Sequence, residues 1–228
     1  MQCDFCDELS GIDTVYNEIY GNKDRFVFET KNFFVFPCMG QLREGHLLIV
    51  SKHHINAMSM LGQEALAELD KLILLVGEFY KSKYDMNMLC FEHGVSCDDG
   101  GNGGCGIYHM HLHILPLEDD VFTKILYRVE NQGTNKAHSM GNLIDLRHCV
   151  KEKETYIFLE QMNKQQKKQM YTITNQENYF ESQYMRRVIS EIFGKKEWNW
   201  RNVKEKEEEF LNTLEESRNF FLTKQVDN

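Results

Sequence analysis

The chain has 228 residues, 42% of them hydrophobic and 27% charged, which suits one large globular domain or a small domain with a substantial extension rather than a disordered chain. A formal net charge of -9 and a pI near 5.5 argue against a dedicated nucleic-acid binder, whose basic residues normally dominate, and nothing in the balance suggests a membrane surface. A small phosphate ligand is not excluded, because a few local donors suffice for one.

The sequence opens Met-Gln-Cys-Asp-Phe-Cys, with no basic region leading into an apolar stretch, so no secretory signal is expected. Arg25–Glu29 and Phe33–Pro37 are β-rich runs separated by Thr-Lys-Asn, which predicts a hairpin. His46–Val50 predicts a third strand and Met88–His93 a fourth. Between them, Leu61, Ala65, Leu69, Leu72, Val76 and Phe79 recur at steps of three and four, the spacing of a long helix with one buried stripe. The longest aliphatic run, Leu72–Val76, is far too short to cross a bilayer. Asp98-Asp-Gly-Gly-Asn-Gly-Gly reads as a loop, and Ile107–Leu117 as a strand alternating through its histidines. Beyond about Glu118 the character changes, giving expected units of 1–118 and 119–228. Runs at Tyr156–Leu159 and Tyr171–Thr174 read as strands around a Lys/Gln-rich connection. Ser182–Phe193 reads as a helix stopped at Gly194, and a charged helix over about Val203–Leu222 places Phe210, Leu214 and Phe221 on one side. Seven cysteines are an odd number in a chain long enough to need no disulfide staples, so a reducing cytoplasm is the expected location.

The chemistry concentrates in His109-Met-His111-Leu-His113-Ile-Leu115. Successive side chains of a strand point to opposite faces, so the three histidines line one face while Met110, Leu112 and Ile114 enter a core on the other. Surface histidines on a half-exposed strand, or a metal pair two residues apart, are the competing readings of the residues alone. The glycine-rich segment Gly100–Gly106 runs directly into this strand, and glycines let backbone N–H groups approach a phosphate.

The pattern His-φ-His-φ-His-φ-φ, with φ apolar, resembles the signature of the histidine-triad (HIT) family of nucleotide hydrolases and transferases. Gly45-His46-Leu-Leu-Ile-Val-Ser51-Lys52-His53-His54-Ile55 looks like that family's strand running into Pro-Lys-x-His, with Ser51 in place of the proline, and Phe34-Val-Phe36-Pro37 matches an apolar strand ending near a proline. The resemblance covers about residues 1–118. It implies an α+β fold: a HIT-like antiparallel sheet of about five strands with one long helix, here with a C-terminal α/β extension packed on it. It implies that His111 attacks the α-phosphorus of a nucleotide, that His113 donates to a phosphate oxygen, and that His109 orients the group or contacts the leaving side. A neutral imidazole is a competent nucleophile near pH 7. Gly104-Cys105-Gly106 stands where many members carry glutamine and then serine or threonine, and a cysteine cannot copy an amide's hydrogen bonds, so the resemblance assigns no leaving-group acid here.

Some members and the related galactose-1-phosphate uridylyltransferases bind zinc through a CxxC pair plus histidines. By that resemblance Cys3, Cys6, His54 and His109 form a closed structural zinc site; free thiols are the alternative, and Cys97 and Cys105 are other candidate ligands. His46 is a candidate for substrate contact or a strand-end histidine bonded to backbone. His93, in Phe91-Glu-His-Gly94, is balanced between structural and phosphate-contact roles. Arg186 or Arg187 is a candidate phosphate clamp, against a solvated helix face, and Trp198 and Trp200 are expected in a core. No organic cofactor is expected. The function expected is hydrolysis of a dinucleoside polyphosphate, nucleoside phosphoramidate or similar compound. The alternatives are a nucleotidyltransferase or phosphorylase using the same histidine, and a zinc-stabilised nucleotide-binding module. Homodimers that extend the sheet are common in the family.

Overall fold

The computed structural model describes residues 3–21, 24–95, 107–200 and 207–226. Seven helices and eight strands are described: α1 (Asp4–Leu9), α2 (Val15–Tyr20), β1 (Phe28–Glu29), β2 (Phe33–Pro37), β3 (Leu47–Ser51), α3 (Gln63–Tyr84), β4 (Asn87–Val95), β5 (His111–Leu117), α4 (Val121–Glu130), β6 (Lys136–Met140), α5 (Leu146–Cys149), β7 (Thr155–Met162), β8 (Lys168–Thr174), α6 (Tyr184–Ile192) and α7 (Glu207–Val226). All eight strands join one antiparallel sheet in the order β1-β2-β3-β5-β4-β7-β8-β6.

The expected sheet of about five strands is therefore corrected to eight. The five strands before residue 118 are present, but β4 is not an edge. It pairs along its whole length with β7, from Met88 opposite Met162 to Val95 opposite Thr155. Strands on the two sides of residue 118 thus share hydrogen bonds instead of packing as separate layers. An unpaired strand edge leaves a row of backbone donors and acceptors open to other chains, and β7 closes that row on β4.

Strand parity assigns two faces. Phe33, Val35, Leu47, Ile49, Met88 and Cys90 point to one face, where Leu69, Ile73, Val76 and Tyr80 of α3 and Phe210, Leu214 and Phe221 of α7 cover them. The 3.6-residue stripe seen in the sequence is this α3 contact. On the opposite face Leu89, Phe91, Leu115, Ile157 and Leu159 meet Phe122, Ile125 and Val129 of α4 and Met185, Val188 and Ile189 of α6. Farther along that same face, Phe36, Leu48 and Val50 meet Cys3 and Phe5 of the N-terminal segment. Two separate helical covers, α1 at one end and α4 with α6 at the other, leave the middle of this face to the histidines.

Candidate active site and metal cluster

Register places His111 opposite Val50 of β3 and His113 opposite Leu48, with Phe91 of β4 on the other flank of His113. Their side chains therefore share the face of Leu48, Val50 and Phe91, in the gap between α1 and α6. A pocket opens there. His111, His113, Phe91 and Cys38 line its floor, Phe5, Glu8 and Tyr16 its N-terminal wall, and Gln183, Arg186 and Trp200 its C-terminal wall.

The hydrogen bonds determine which ring nitrogens carry protons. His111 Nδ1 lies 2.6 Å from the His109 carbonyl. A carbonyl only accepts, so Nδ1 carries the proton and Nε2 keeps its lone pair. Leu42 donates its backbone N–H to His46 Nδ1 at 3.2 Å, which makes His46 Nε2 the protonated nitrogen. His46 Nε2 then donates to His113 Nδ1 at 2.9 Å, so His113 carries its proton on Nε2. His109 Nε2 donates to the Ser51 carbonyl at 2.8 Å, leaving Nδ1 as the bare nitrogen. One imidazole with a free lone pair thus stands beside one with a fixed donor. Phe91 stacks on the His113 ring at 4.4 Å and 7° and holds its plane.

Burial pulls His111, His113 and His46 below the usual imidazole range. His111 is lowered by burial, with the carbonyl bond to His109 opposing and Arg186 assisting. His113 is held well below by burial and then by His46, and His46 well below by burial and then by Arg186. All three are neutral at neutral pH, as the tautomer chain requires. His46 itself is fully buried behind His113 and is not among the pocket-lining residues, so its contact is with the neighbouring imidazole.

A second cluster adjoins the first. Cys3, Cys6, His54 and His109 bring four ligand atoms within 4.8 Å of one another. Cys3 Sγ is 3.4 Å from His109 Nδ1, Cys6 Sγ 3.2 Å from His54 Nδ1 and 3.5 Å from His109 Nδ1. In a tetrahedral zinc site, bonds of about 2.3 Å to sulfur and about 2.0 Å to nitrogen put these donors about 3.5 Å apart. The His109 nitrogen that faces the thiols is the bare one, and its other nitrogen is fixed on a carbonyl, the arrangement metal-bound histidines adopt. The residues fit a four-coordinate ion without an open position. Burial raises the Cys6 thiol to about 11, with Cys3 adding to it, so a Cys6 thiolate requires a nearby cation to persist. Cys38, His46 and His113 also converge within 4.8 Å, but there the His46–His113 hydrogen bond occupies the facing nitrogens.

Other predicted residues fall as follows. Arg186 is 4% exposed, not on a solvated helix face; it donates to the Trp198 carbonyl at 3.1 Å, to the Gly40 carbonyl, and toward Cys38 Sγ at 3.6 Å. These three contacts orient the guanidinium. Arg187 instead pairs with Glu181 at 2.8 Å. Trp198 and Trp200 are half-buried rather than in a core, and Trp200 lines the pocket. Its backbone lies against Gly40, where φ is +60° and an added Cβ would meet Trp200 at 2.9 Å. Cys97, Gly104, Cys105 and Gly106 lie outside the described residues. His93 lines the pocket edge-on to Phe180. Sequence reasoning missed Phe5, Tyr16 and Gln183; Phe5, between the two cysteines, had a signal in its position, whereas nothing local marks the other two.

The fold and site define a class: an α+β protein whose antiparallel sheet presents a row of histidines to a pocket beside a Cys/His cluster. Residues 21–120 match the family model described as HIT domain, and residues 121–228 lie beyond that match. Similar solved structures include a HIT family protein from Bacillus anthracis, at 21% identity over 52% of this chain and 75% of that one, with a TM-score of 0.38. A Zn-bound histidine triad family protein from Mycobacterium smegmatis is 20% identical over 53% and 78%, with a TM-score of 0.39. A hypothetical histidine triad nucleotide-binding protein from Sulfolobus tokodaii is 24% identical over 52% and 74%, with a TM-score of 0.37.

Proposed function

We propose that the chain hydrolyses a nucleotide phosphoanhydride, phosphoester or phosphoramidate through a nucleotidyl-histidine on His111. The observation that carries this is the proton on His111 Nδ1, fixed by the His109 carbonyl, which leaves Nε2 as a nucleophile in the pocket. Nε2 attacks the α-phosphorus; the P–N bond forms as the bond to the leaving group breaks, and the leaving group departs with a proton from solvent or a donor in the site. His113 Nε2–H donates to a non-bridging oxygen, and Arg186 adds positive charge nearby, where negative charge grows in the transition state. Water then attacks phosphorus, the P–N bond breaks, and His111 returns to neutral. Zinc bound by Cys3, Cys6, His54 and His109 would hold the N-terminal segment and the His109 carbonyl in place; as a closed site it supplies structure.

Transfer to phosphate or a sugar phosphate is the second reading, favoured by the wall that Gln183, Arg186 and Trp200 raise beside the histidines, where an acceptor other than water has room to bind. Wild type and His111→Ala, incubated with diadenosine tetraphosphate or adenosine phosphoramidate with and without inorganic phosphate, decide between them. AMP and an acid-labile adduct in wild type only are expected. ADP that depends on phosphate moves the assignment to a phosphorylase. Neither turnover nor adduct with any of these leaves a binding module and sinks the hydrolase.

A further inference from the structure

α1 has six residues, well below the roughly 12–15 at which an isolated helix becomes even marginal in water. Its place on the sheet therefore comes from its contacts. Two lie on the cysteine side: Cys3 at its N-cap and Cys6 within it, both turned toward His54 and His109. A third is Phe5, between those cysteines. It is buried, with its ring 5.4 Å from His111, 5.7 Å from His109 and 6.0 Å from Phe36. The fourth is Glu8, which takes two hydrogen bonds from Arg25 at 2.6 and 2.5 Å; Arg25 in turn lies over the rings of Tyr16 and Phe36.

The residues of α1 that turn away from the cysteines are the pocket's N-terminal wall: Asp4, Phe5 and Glu8, continued by Val15 and Tyr16. This wall differs in chemistry from the C-terminal one. It combines apolar rings with carboxylates, which suits a base and the hydroxyls of a ribose. Tyr16 is 3% exposed and its buried hydroxyl has no hydrogen-bond partner, an unsatisfied group that a ligand's polar edge would satisfy. The same six-residue helix thus presents one side to a metal cluster and the other to a ligand pocket, with Phe5 touching the ring of the proposed nucleophile.

We infer that Phe5 is a positioning residue that seats the nucleoside wall against His111, and that its flanking cysteines make this seating depend on the metal, so metal occupancy and nucleotide binding strengthen each other. The inference rests on the proposed zinc and nucleotide sites. With zinc bound, α1 is tied to His54 and His109 and the wall is formed before the ligand arrives. Without it, the helix keeps Phe5 and the Glu8–Arg25 pair, and part of the ligand's binding energy goes into ordering the wall. Linkage then requires reciprocity: whatever factor zinc adds to nucleotide affinity, nucleotide adds to zinc affinity.

The full chain is titrated calorimetrically with AMP, zinc-loaded and after chelator treatment, and its zinc affinity is measured against a chromophoric chelator with and without saturating AMP. AMP is expected to bind the loaded form about tenfold more tightly, and saturating AMP to raise zinc affinity by the same factor. Phe5→Ala should keep its zinc while losing this linkage, and Phe5→Leu, which retains an apolar contact, should restore part of it. Equal AMP affinity in loaded and stripped wild type, or full linkage in Phe5→Ala, overturns the inference. If AMP fails to bind even the loaded form, the nucleotide reading falls and takes the inference with it. A chain that binds no zinc removes the metal assignment in the same way. Should stripping unfold the chain, the loaded proteins alone decide: AMP about tenfold weaker on Phe5→Ala at unchanged zinc affinity is expected, and equal affinity refutes it.

Discussion

His111 and His113 share a strand face yet carry their protons on opposite ring nitrogens. His111 has its Nδ1 proton on a carbonyl two residues away. His113 receives a hydrogen bond at Nδ1 from His46, whose own tautomer is set by the Leu42 amide. Neutral rings are essential to this chain of donors, and burial keeps them neutral by holding all three below the usual range. A histidine with a depressed folded-state value is uncharged above about 6.5 and gains a proton only well on the acid side. The pH profile of kcat/KM should therefore stay flat as pH falls through 6.5 and turn down below it. An acid limb centred at or above 6.5 would contradict the assigned environment. Stability follows the same sign: below about 6.5 the unfolded chain takes up protons that the folded chain refuses, so stability declines there with falling pH. Much of this was legible beforehand. Period two placed His111 and His113 on one face, and Met110, Leu112 and Ile114 are fully buried on the other. The role of His46 was less so, because its position opens a strand, and only the fold brings its ring within 2.9 Å of His113.

At the scale of elements, the join between β4 and β7 is where the two parts of the chain commit to each other. Gly94 of β4 lies opposite Tyr156 of β7, and a Cβ on Gly94 would stand inside the tyrosine ring's contact distance. Tyr156 has little freedom to retreat: its hydroxyl donates to Glu92 at 2.5 Å and accepts from the Ser59 amide at 3.0 Å. Gly94→Ala should destabilise the protein by about 1–3 kcal/mol, read as a lower urea midpoint. Gly77→Ala should cost less, since its added Cβ meets the flexible end of Met162. An unchanged midpoint for Gly94→Ala would mean that the join is looser than described. The strands of this region differ in how plainly the sequence marked them. β7 and β8 are apolar and β-branched enough to be read directly. β6, Lys-Ala-His-Ser-Met, is mostly exposed at the sheet edge and shows no alternation to find. α4 carries a readable pattern in Val121, Phe122, Ile125 and Val129, but it falls where the chain changes character. α1 and α2 are too short for a periodic signal.

Taken whole, the molecule uses segments near both ends of the chain to wall a pocket whose histidine strand lies in the middle. Asp4, Phe5 and Glu8 with residues 14–16 form one wall, and residues 183–186 with Trp200 the other. No local pattern announces such an arrangement, because each wall is defined by which sheet face its helix covers. Removing residues 119–228 would strip one wall, open β4, and uncover Leu89, Phe91 and Leu115 along with the apolar face that α7 protects. The truncated chain is expected to be aggregation-prone and inactive, while a soluble, monomeric and active 1–118 fragment would show that the sheet completes itself without β7. β4 already has strands on both sides, so association of two folded copies through that strand is closed to them.

The β4–β7 pairing also sets a timetable. At the ribosome β4 is finished roughly sixty residues before β7 begins, a gap of several seconds at about 5–20 residues per second. From the completion of Leu117 until β7 emerges, the histidine strand exists while its neighbour's edge is open, and the pocket has only one of its walls. A nascent chain released early would carry every histidine of the site and still be unable to close around a ligand.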